Sequence, residues 1–143
     1  MGSNRDRVNL LFTMHSPWTA VTAANCSTCE VRAFNCTQSP TCQRGNGSSI
    51  SLDGSTLSGF SARDSLCFFK IAEDCVDDLG FFTVTHDPTG YLGYFGGVTG
   101  VLPGSLDEDD PSLIRFLVSR GYSSKLMVSL SVQELSITYG GID

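Results

Sequence analysis

The sequence predicts a mostly β chain carrying a single short helix. Three observations predict it. Short runs of β-branched and aromatic residues recur between clusters of Gly, Asn, Asp, Ser and Pro. Two of these runs flank Asp53-Gly54-Ser55, and Asp-Gly between strands is a strong hairpin signal. Only the segment from Pro111 to Gly121 places apolar residues at helical spacing.

Taken in order, Val8 to Phe12 and Trp18 to Thr22 read as two strands around the polar turn Thr13-Met14-His15-Ser16-Pro17. A strand–turn–strand unit of this kind is a common mount for a reactive group. Asn25 to Gly47 is rich in Cys, Ser, Thr and Asn and reads as a surface loop tied by cystines. Ile50 to Leu52 and Thr56 to Ser61 are the arms of the Asp-Gly hairpin. Leu66 to Ile71 and Leu79 to Thr85 are further strands, with a loop through Glu73, Asp74, Cys75 and Asp78 between them. His86 and Asp87 before Pro88-Thr89-Gly90 read as turn chemistry rather than a catalytic dyad. Tyr91 to Leu102 is aromatic and Gly-rich, which suggests close backbone packing rather than a regular strand. The helix has Asp110 as cap, Pro111 at its first position, an apolar face of Leu113, Ile114, Phe116 and Leu117, and Gly121 as stop. Met127 to Val132 and Leu135 to Tyr139 alternate as strands.

Composition bounds the function. The 143 residues suit one domain or one lobe of a larger one, and 41% hydrophobic residues suffice for a core. A net charge of −6 and a pI near 4.7 argue against nucleic acid or an anionic membrane as partner, since no basic patch exists. Six cysteines fall in close pairs, Cys26/Cys29, Cys36/Cys42 and Cys67/Cys75, and are candidate disulfides. Cys26-x-x-Cys29 lacks the second pair a zinc site needs, it has no thioredoxin-like βαβ context, and His15 and His86 sit at no ligand spacing. No metal and no cofactor is expected. Asp107 to Asp110 lacks the alternating spacing of a calcium loop and reads as a solvated run before the helix. Asn25-Cys26-Ser27, Asn35-Cys36-Thr37 and Asn46-Gly47-Ser48 are N-glycosylation acceptor motifs. With the cysteines they point to a secretory environment, although Met1 is followed by a polar run rather than a signal peptide.

These landmarks, in this order, resemble the amino-terminal lobe of the pepsin-like aspartic proteases. Gly2-Ser3-Asn4 and Val8 to Phe12 resemble the strand entering the catalytic loop. Phe34 to Thr41 resembles the family's Phe-x-x-x-x-Ser-x-Thr loop, and Ile50 to Gly59 its flap hairpin. Cys67 to Cys75 with Phe81-Phe82 resembles the following cystine loop and strand. Phe95 to Leu102 resembles the Phe-Asp-Gly-Ile-Leu-Gly segment, Pro111 to Gly121 the lobe's helix, and Leu126 to Asp143 the strand pair leading to a second lobe, with Tyr139-Gly140-Gly141-Ile142-Asp143 the most specific piece. The resemblance implies residues 1–143 as a partial amino-terminal lobe of a double-barrel acid protease fold, incomplete at its amino edge and without the second lobe. The start is expected to be internal to a longer ancestral protein.

The resemblance also says what chemistry to look for. In that family two carboxylates, one per lobe, share a proton and activate water, while a flap Tyr closes over the substrate. The first Asp-Thr-Gly-Ser-Ser would fall on Thr13 to Pro17. Thr13 takes the place of the carboxylate, and a hydroxyl cannot act as general base near neutral or acidic pH. His15 replaces a glycine, and only Ser16 matches. At the flap, Ser51 replaces the Tyr and Leu52 a Gly, while Asp53, Gly54 and Ser55 are retained; Gly96 replaces the Asp of Phe-Asp-Gly. A homodimer would not restore the pair, because both copies carry Thr13. His15 and Ser16 are adjacent, the wrong geometry for a base to meet a nucleophile.

The expectation is an aspartic-endopeptidase-like domain that is catalytically degenerate, with Thr13, His15, Ser16, Ser51, Asp53, Gly54 and Ser55 lining the cleft and flap. One alternative is a non-catalytic module binding a peptide or protein in the same cleft; another is a fragment of an active secreted or lysosomal aspartic protease. The expected partner is a peptide or protein resembling a substrate, with self-association through the exposed lobe interface. Secretory, lysosomal or extracellular location follows from the resemblance and the cysteine pairs.

Overall fold

The computed structural model describes residues 1–2, 7–67, 75–102, 112–131, 133 and 136–139. The fold is mostly β, with eight strands, one short α-helix and a 3-10 turn at Cys36–Gln38 among the described residues. In chain order the strands are β1 (Leu10–Thr13), β2 (Thr19–Thr22), β3 (Gln43–Leu52), β4 (Ser55–Cys67), β5 (Cys75–His86), β6 (Gly97–Gly100), β7 (Val128–Ser131) and β8 (Ser136–Tyr139). The helix is α1 (Leu113–Ser119). Strands β1 to β6 form one sheet in the order β1-β6-β2-β5-β4-β3, and β7 pairs with β8 alone.

The sheet is built around β4 and β5, which pair antiparallel along most of their length. Successive side chains of a strand point to opposite faces. On β5 this sends Phe81 into one apolar cluster and Phe82 and Val84 into another. The first cluster gathers Phe34, Phe60, Ala62, Phe81, Leu113 and Leu117, so α1 covers that face. The second gathers Ile50, Leu52, Leu57, Phe82, Val84, Leu92 and Val98, with Trp18 and Leu11 packed against it. Because both faces are covered, Phe81, Phe82, Thr83 and Val84 are all buried. Each buried Phe or Leu stabilises by about 1.5–3 kcal/mol relative to exposure.

The strands are longer than the sequence suggests. Gln43 to Gly47, expected in a loop, belongs to β3, and β4 runs unbroken through residues 62–65. Bulges at Arg44/Gly47, Ser58/Gly59 and Asp64/Leu66 let these long strands bend while keeping their pairing. Gly97 to Gly100, expected to be irregular, is strand β6. The glycines are required there by neighbours: a Cβ on Gly97 would overlap the Ala20 carbonyl, and one on Gly100 the Ser16 carbonyl.

The helix begins two residues later than expected, at Leu113. Its cap is Ser112, whose hydroxyl accepts from the Arg115 amide at 3.5 Å; Asp107 to Pro111 lie outside the described residues. Gly121 is the stop, at φ +76°. The Gly121 amide donates to the Val118 carbonyl and the Tyr122 amide to that of Leu117, closing the last turn. Ser3, Asn4, residues 68–71, Glu73, Asp74, Val132, Leu135 and residues 140–143 also fall outside the described residues.

Candidate functional site

The turn between β1 and β2 is held by a strand passing between its two arms. β6 lies parallel to β1, with Thr13 opposite Gly100, and antiparallel to β2, with Thr19 opposite Thr99. Backbone bonds fasten the turn to the end of that strand: the Val101 amide donates to the Thr13 carbonyl (3.1 Å), the Leu102 amide to that of Ser16 (3.3 Å), and the Gly100 amide to that of Trp18 (2.9 Å). Gly100 packs directly on the Ser16 carbonyl, so the turn sits closer to β6 than any side chain would allow.

At the apex, Thr13 and Ser16 are buried, while Met14 and His15 are exposed. The Thr13 hydroxyl accepts from the His15 amide at 3.2 Å, and the Ser16 hydroxyl accepts from the Trp18 amide at 3.0 Å. Both hydroxyls therefore serve as turn acceptors. Beneath them the Thr19 and Thr99 hydroxyls share a buried hydrogen bond of 3.0 Å, which was not anticipated from sequence. The group is polar but contains no carboxylate, and neutral hydroxyls donate and accept hydrogen bonds without serving as a proton store near pH 7. His15 stands where the resemblance places a glycine. Asp53 and Asp78 are the non-glycine residues at positive φ among the described residues, so the ring sits in an ordinary turn.

The hairpin β3–β4 carries the other predicted residues. Ser51 pairs with Thr56 and is exposed; Leu52 pairs with Ser55 and points into the second cluster. Asp53 (φ 48°) and Gly54 (φ 81°) make the turn, the conformation Asp-Gly favours. Its tip is latched. The Tyr91 hydroxyl donates to Asp53 Oδ2 at 2.7 Å. Burial, then the hydrogen bond to Asp53 and its negative charge, push the Tyr91 phenol up to about 12. Tyr91 is in turn fixed by Asp87, whose buried carboxylate accepts from the Tyr91 and Leu92 amides (3.1 and 2.9 Å) and the Thr89 hydroxyl (3.1 Å). The Asp87 amide donates to the Thr28 hydroxyl at 2.7 Å, inside the Cys26–Cys29 loop. A relay of contacts thus joins the first cystine loop to the hairpin tip. Asp53 and Gly54 were legible as a turn; Tyr91 was not, because nothing in the sequence places it beside a residue 38 positions away.

The turn and the hairpin keep separate hydrogen-bond partners, the first in β6 and the residues after it, the second in the 87–92 segment. Trp18 beside the turn packs against the apolar cluster to which Leu52 and Leu57 of the hairpin belong. The loop with Ser39 and Thr41 also closes on a residue that sequence reasoning missed. Both hydroxyls donate to the buried Asp64 carboxylate, each at 2.6 Å, and the Ser65 amide donates to it at 2.8 Å.

Cys26–Cys29, Cys36–Cys42 and Cys67–Cys75 are disulfides, and no described cysteine is free. Three disulfides suit an oxidising, secreted-type environment. Among the described residues, no three His, Cys, Asp or Glu side chains gather as a metal site, and no helix is long and apolar enough to cross a membrane. The chain matches no model of a known protein family and no curated protein.

Proposed function

We propose that this chain is a pepsin-like amino-terminal lobe that does not hydrolyse peptides by itself, and that its cleft residues serve structure. One observation carries the reading. Thr13 occupies the apex of the clamped turn, where the resemblance expects a catalytic carboxylate, and its hydroxyl is spent on the His15 amide. Two features support it. The turn is fastened to β6, as a site for precise chemistry would be, yet its buried polar side chains are hydroxyls and not carboxylates. The hairpin, which in an active protease would close over substrate, has its tip tied to Tyr91, and Ser51 stands where an aromatic lid residue is expected. The three disulfides fit a protein of the secretory route, lysosome or cell exterior.

The test is cleavage of a mixed peptide library between about pH 3 and pH 6, with and without an aspartic-protease inhibitor; general acid–base cleavage depends on a carboxylate pair titrating there. The parent chain is expected to be silent. Inhibitor-sensitive cleavage by the parent would reject the reading. Thr13→Asp is expected to restore one carboxylate without restoring turnover, because the mechanism needs two.

A further inference from the structure

The Cys26–Cys29 loop is connected to the hairpin tip through one side chain. Thr28 lies between the two cysteines and is itself exposed. Its hydroxyl accepts from the Asp87 amide at 2.7 Å and lies 3.4 Å from His86 Nδ1. The buried Asp87 carboxylate accepts from the Tyr91 and Leu92 amides, and the Tyr91 hydroxyl donates to Asp53 at the tip. The path from Thr28 to Asp53 is thus a series of hydrogen bonds, and it fixes the tip only as well as Thr28 is fixed.

An exposed threonine has little packing of its own. Thr28 is positioned by its neighbours: Cys26 is fully buried, Cys29 packs against the second apolar cluster, and the bond between their sulfurs closes the loop. The other two disulfides have no such path to the tip. Cys67 and Cys75 face each other across the β4–β5 ladder, whose remaining pairs hold them together without the bond. Cys36 and Cys42 pack on the cluster under α1. Cys29, half-buried between exposed Thr28 and Glu30, is the end of the first crosslink that a reagent reaches. Cys-x-x-Cys spacing also keeps the two thiols close after opening, so the bond can re-form. Among the described residues no helix starts at Cys26 to activate its thiolate, which makes the pair a target of exchange and not its catalyst.

We infer that the Cys26–Cys29 crosslink is a redox switch on the hairpin: a dithiol reductant opens it, Thr28 leaves Asp87, and the Tyr91–Asp53 latch loosens. A thiolate of the reductant attacks Cys29 Sγ and forms a mixed disulfide, while Cys26 Sγ leaves with the electron pair and takes a proton. The second thiolate of the reductant then attacks its own partner sulfur in the mixed disulfide, and Cys29 Sγ leaves and is protonated. The reductant departs oxidised to its disulfide, and the chain gains two electrons and two protons. The switch stands on the hydrogen-bond path and does not depend on the proteolytic reading.

The experiment treats the folded chain with graded dithiothreitol, traps thiols with iodoacetamide, maps the labels by peptide mass, and measures amide hydrogen exchange at each stage. Cys26 and Cys29 are expected to be labelled first. At that stage the hairpin tip, residues 50–56, should exchange about tenfold faster, the worth of one lost hydrogen bond, while residues 76–84 of β5 keep their native rate. Cys26→Ala/Cys29→Ala should reproduce this without reagent or label. In Tyr91→Phe the tip should already exchange fast, and opening the crosslink should add nothing, because the path ends at that hydroxyl. Earlier labelling of another pair, or a tip that keeps its native rate, would overturn the switch. So would faster exchange through residues 76–84, which would make the crosslink a general fastener, or full acceleration of the tip in Tyr91→Phe, which would place the route elsewhere.

Discussion

At the scale of the residue, Asp64 is, like Asp87, a buried carboxylate that joins separate segments of the fold. It is 2% exposed, and its carboxylate joins β4 to the Ser39–Thr41 loop by two short hydroxyl bonds and to its own strand by the Ser65 amide. Bonds to an ionised acceptor contribute more than neutral ones, and removing the acceptor leaves donors in a poor environment. Asp64→Ala is therefore expected to cost about 3 kcal/mol in urea unfolding, seen as a lower midpoint with an unchanged slope. Asp64→Asn keeps one acceptor oxygen and should lose about half as much; a loss under roughly 0.5 kcal/mol for the alanine variant would show that the loop is held by other contacts. Gly100 makes the complementary case, a residue important for what it lacks. With no Cβ it lets β6 touch the Ser16 carbonyl, so Gly100→Ala must push the Thr13–Pro17 turn away from the sheet. A loss of about 2–4 kcal/mol is expected, measured by thermal or urea unfolding.

At the scale of the element, the β3–β4 hairpin and the 87–92 turn act as one unit through the Tyr91–Asp53 bond. Tyr91 titrates near 12 in the folded chain instead of near 10, and burial pushes Tyr139 to about 12 as well. A phenol that holds its proton more tightly when folded contributes stability that is fully present below about pH 10 and is lost as pH rises from there through about 12. The urea midpoint is expected to be level near pH 8 and to fall above about pH 10. Tyr91→Phe should make that fall shallower without abolishing it, since Tyr139 remains; an identical pH profile for the variant would refute the latch. The hairpin was legible in the sequence because its signal is local, an Asp-Gly between two strands. The latch was not, because Tyr91 and Asp53 meet through long-range structure: Asp87 fixes the 87–92 turn, and Leu92 shares one apolar cluster with Leu52 and Leu57. β6 was missed for a similar reason. Gly97-Val98-Thr99-Gly100 has poor strand propensity, and what makes it a strand is its pairing with β1 on one side and β2 on the other, where Gly97 and Gly100 leave room for the Ala20 and Ser16 carbonyls. Thr13 could be named from sequence as the occupant of the turn, whereas its buried neighbours Thr19 and Thr99 depend on a register set by that unforeseen strand.

At the scale of the whole molecule, the apolar material is divided between two clusters on opposite faces of one sheet, and two of the three disulfides sit against them. Cys36 and Cys42 pack on the cluster under α1, Cys29 on the other. The cysteine pairs were visible as pairs because each partner lies close in sequence, with separations of 3, 6 and 8. Such short loops limit what each crosslink takes from the unfolded chain, about 2 kcal/mol apiece on the chain-entropy account. Three of them together supply on the order of 6 kcal/mol, comparable to the whole net stability of about 5–15 kcal/mol typical of a domain. Reduction should therefore cost most of the fold's margin rather than trim it. With a thiol-specific alkylating agent, the native protein is expected to take up no label, and the reduced protein six. The reduced and alkylated chain should lose its cooperative urea transition or shift it to a small fraction of the native midpoint, because the three crosslinks and the packing of Cys29, Cys36 and Cys42 against the clusters disappear together. A fully labelled chain that kept its native midpoint would place the stability in the Phe34, Phe60, Phe81 and Phe82 packing alone, and would demote the cystines to local fasteners of the loops that carry Asn25 and Asn35.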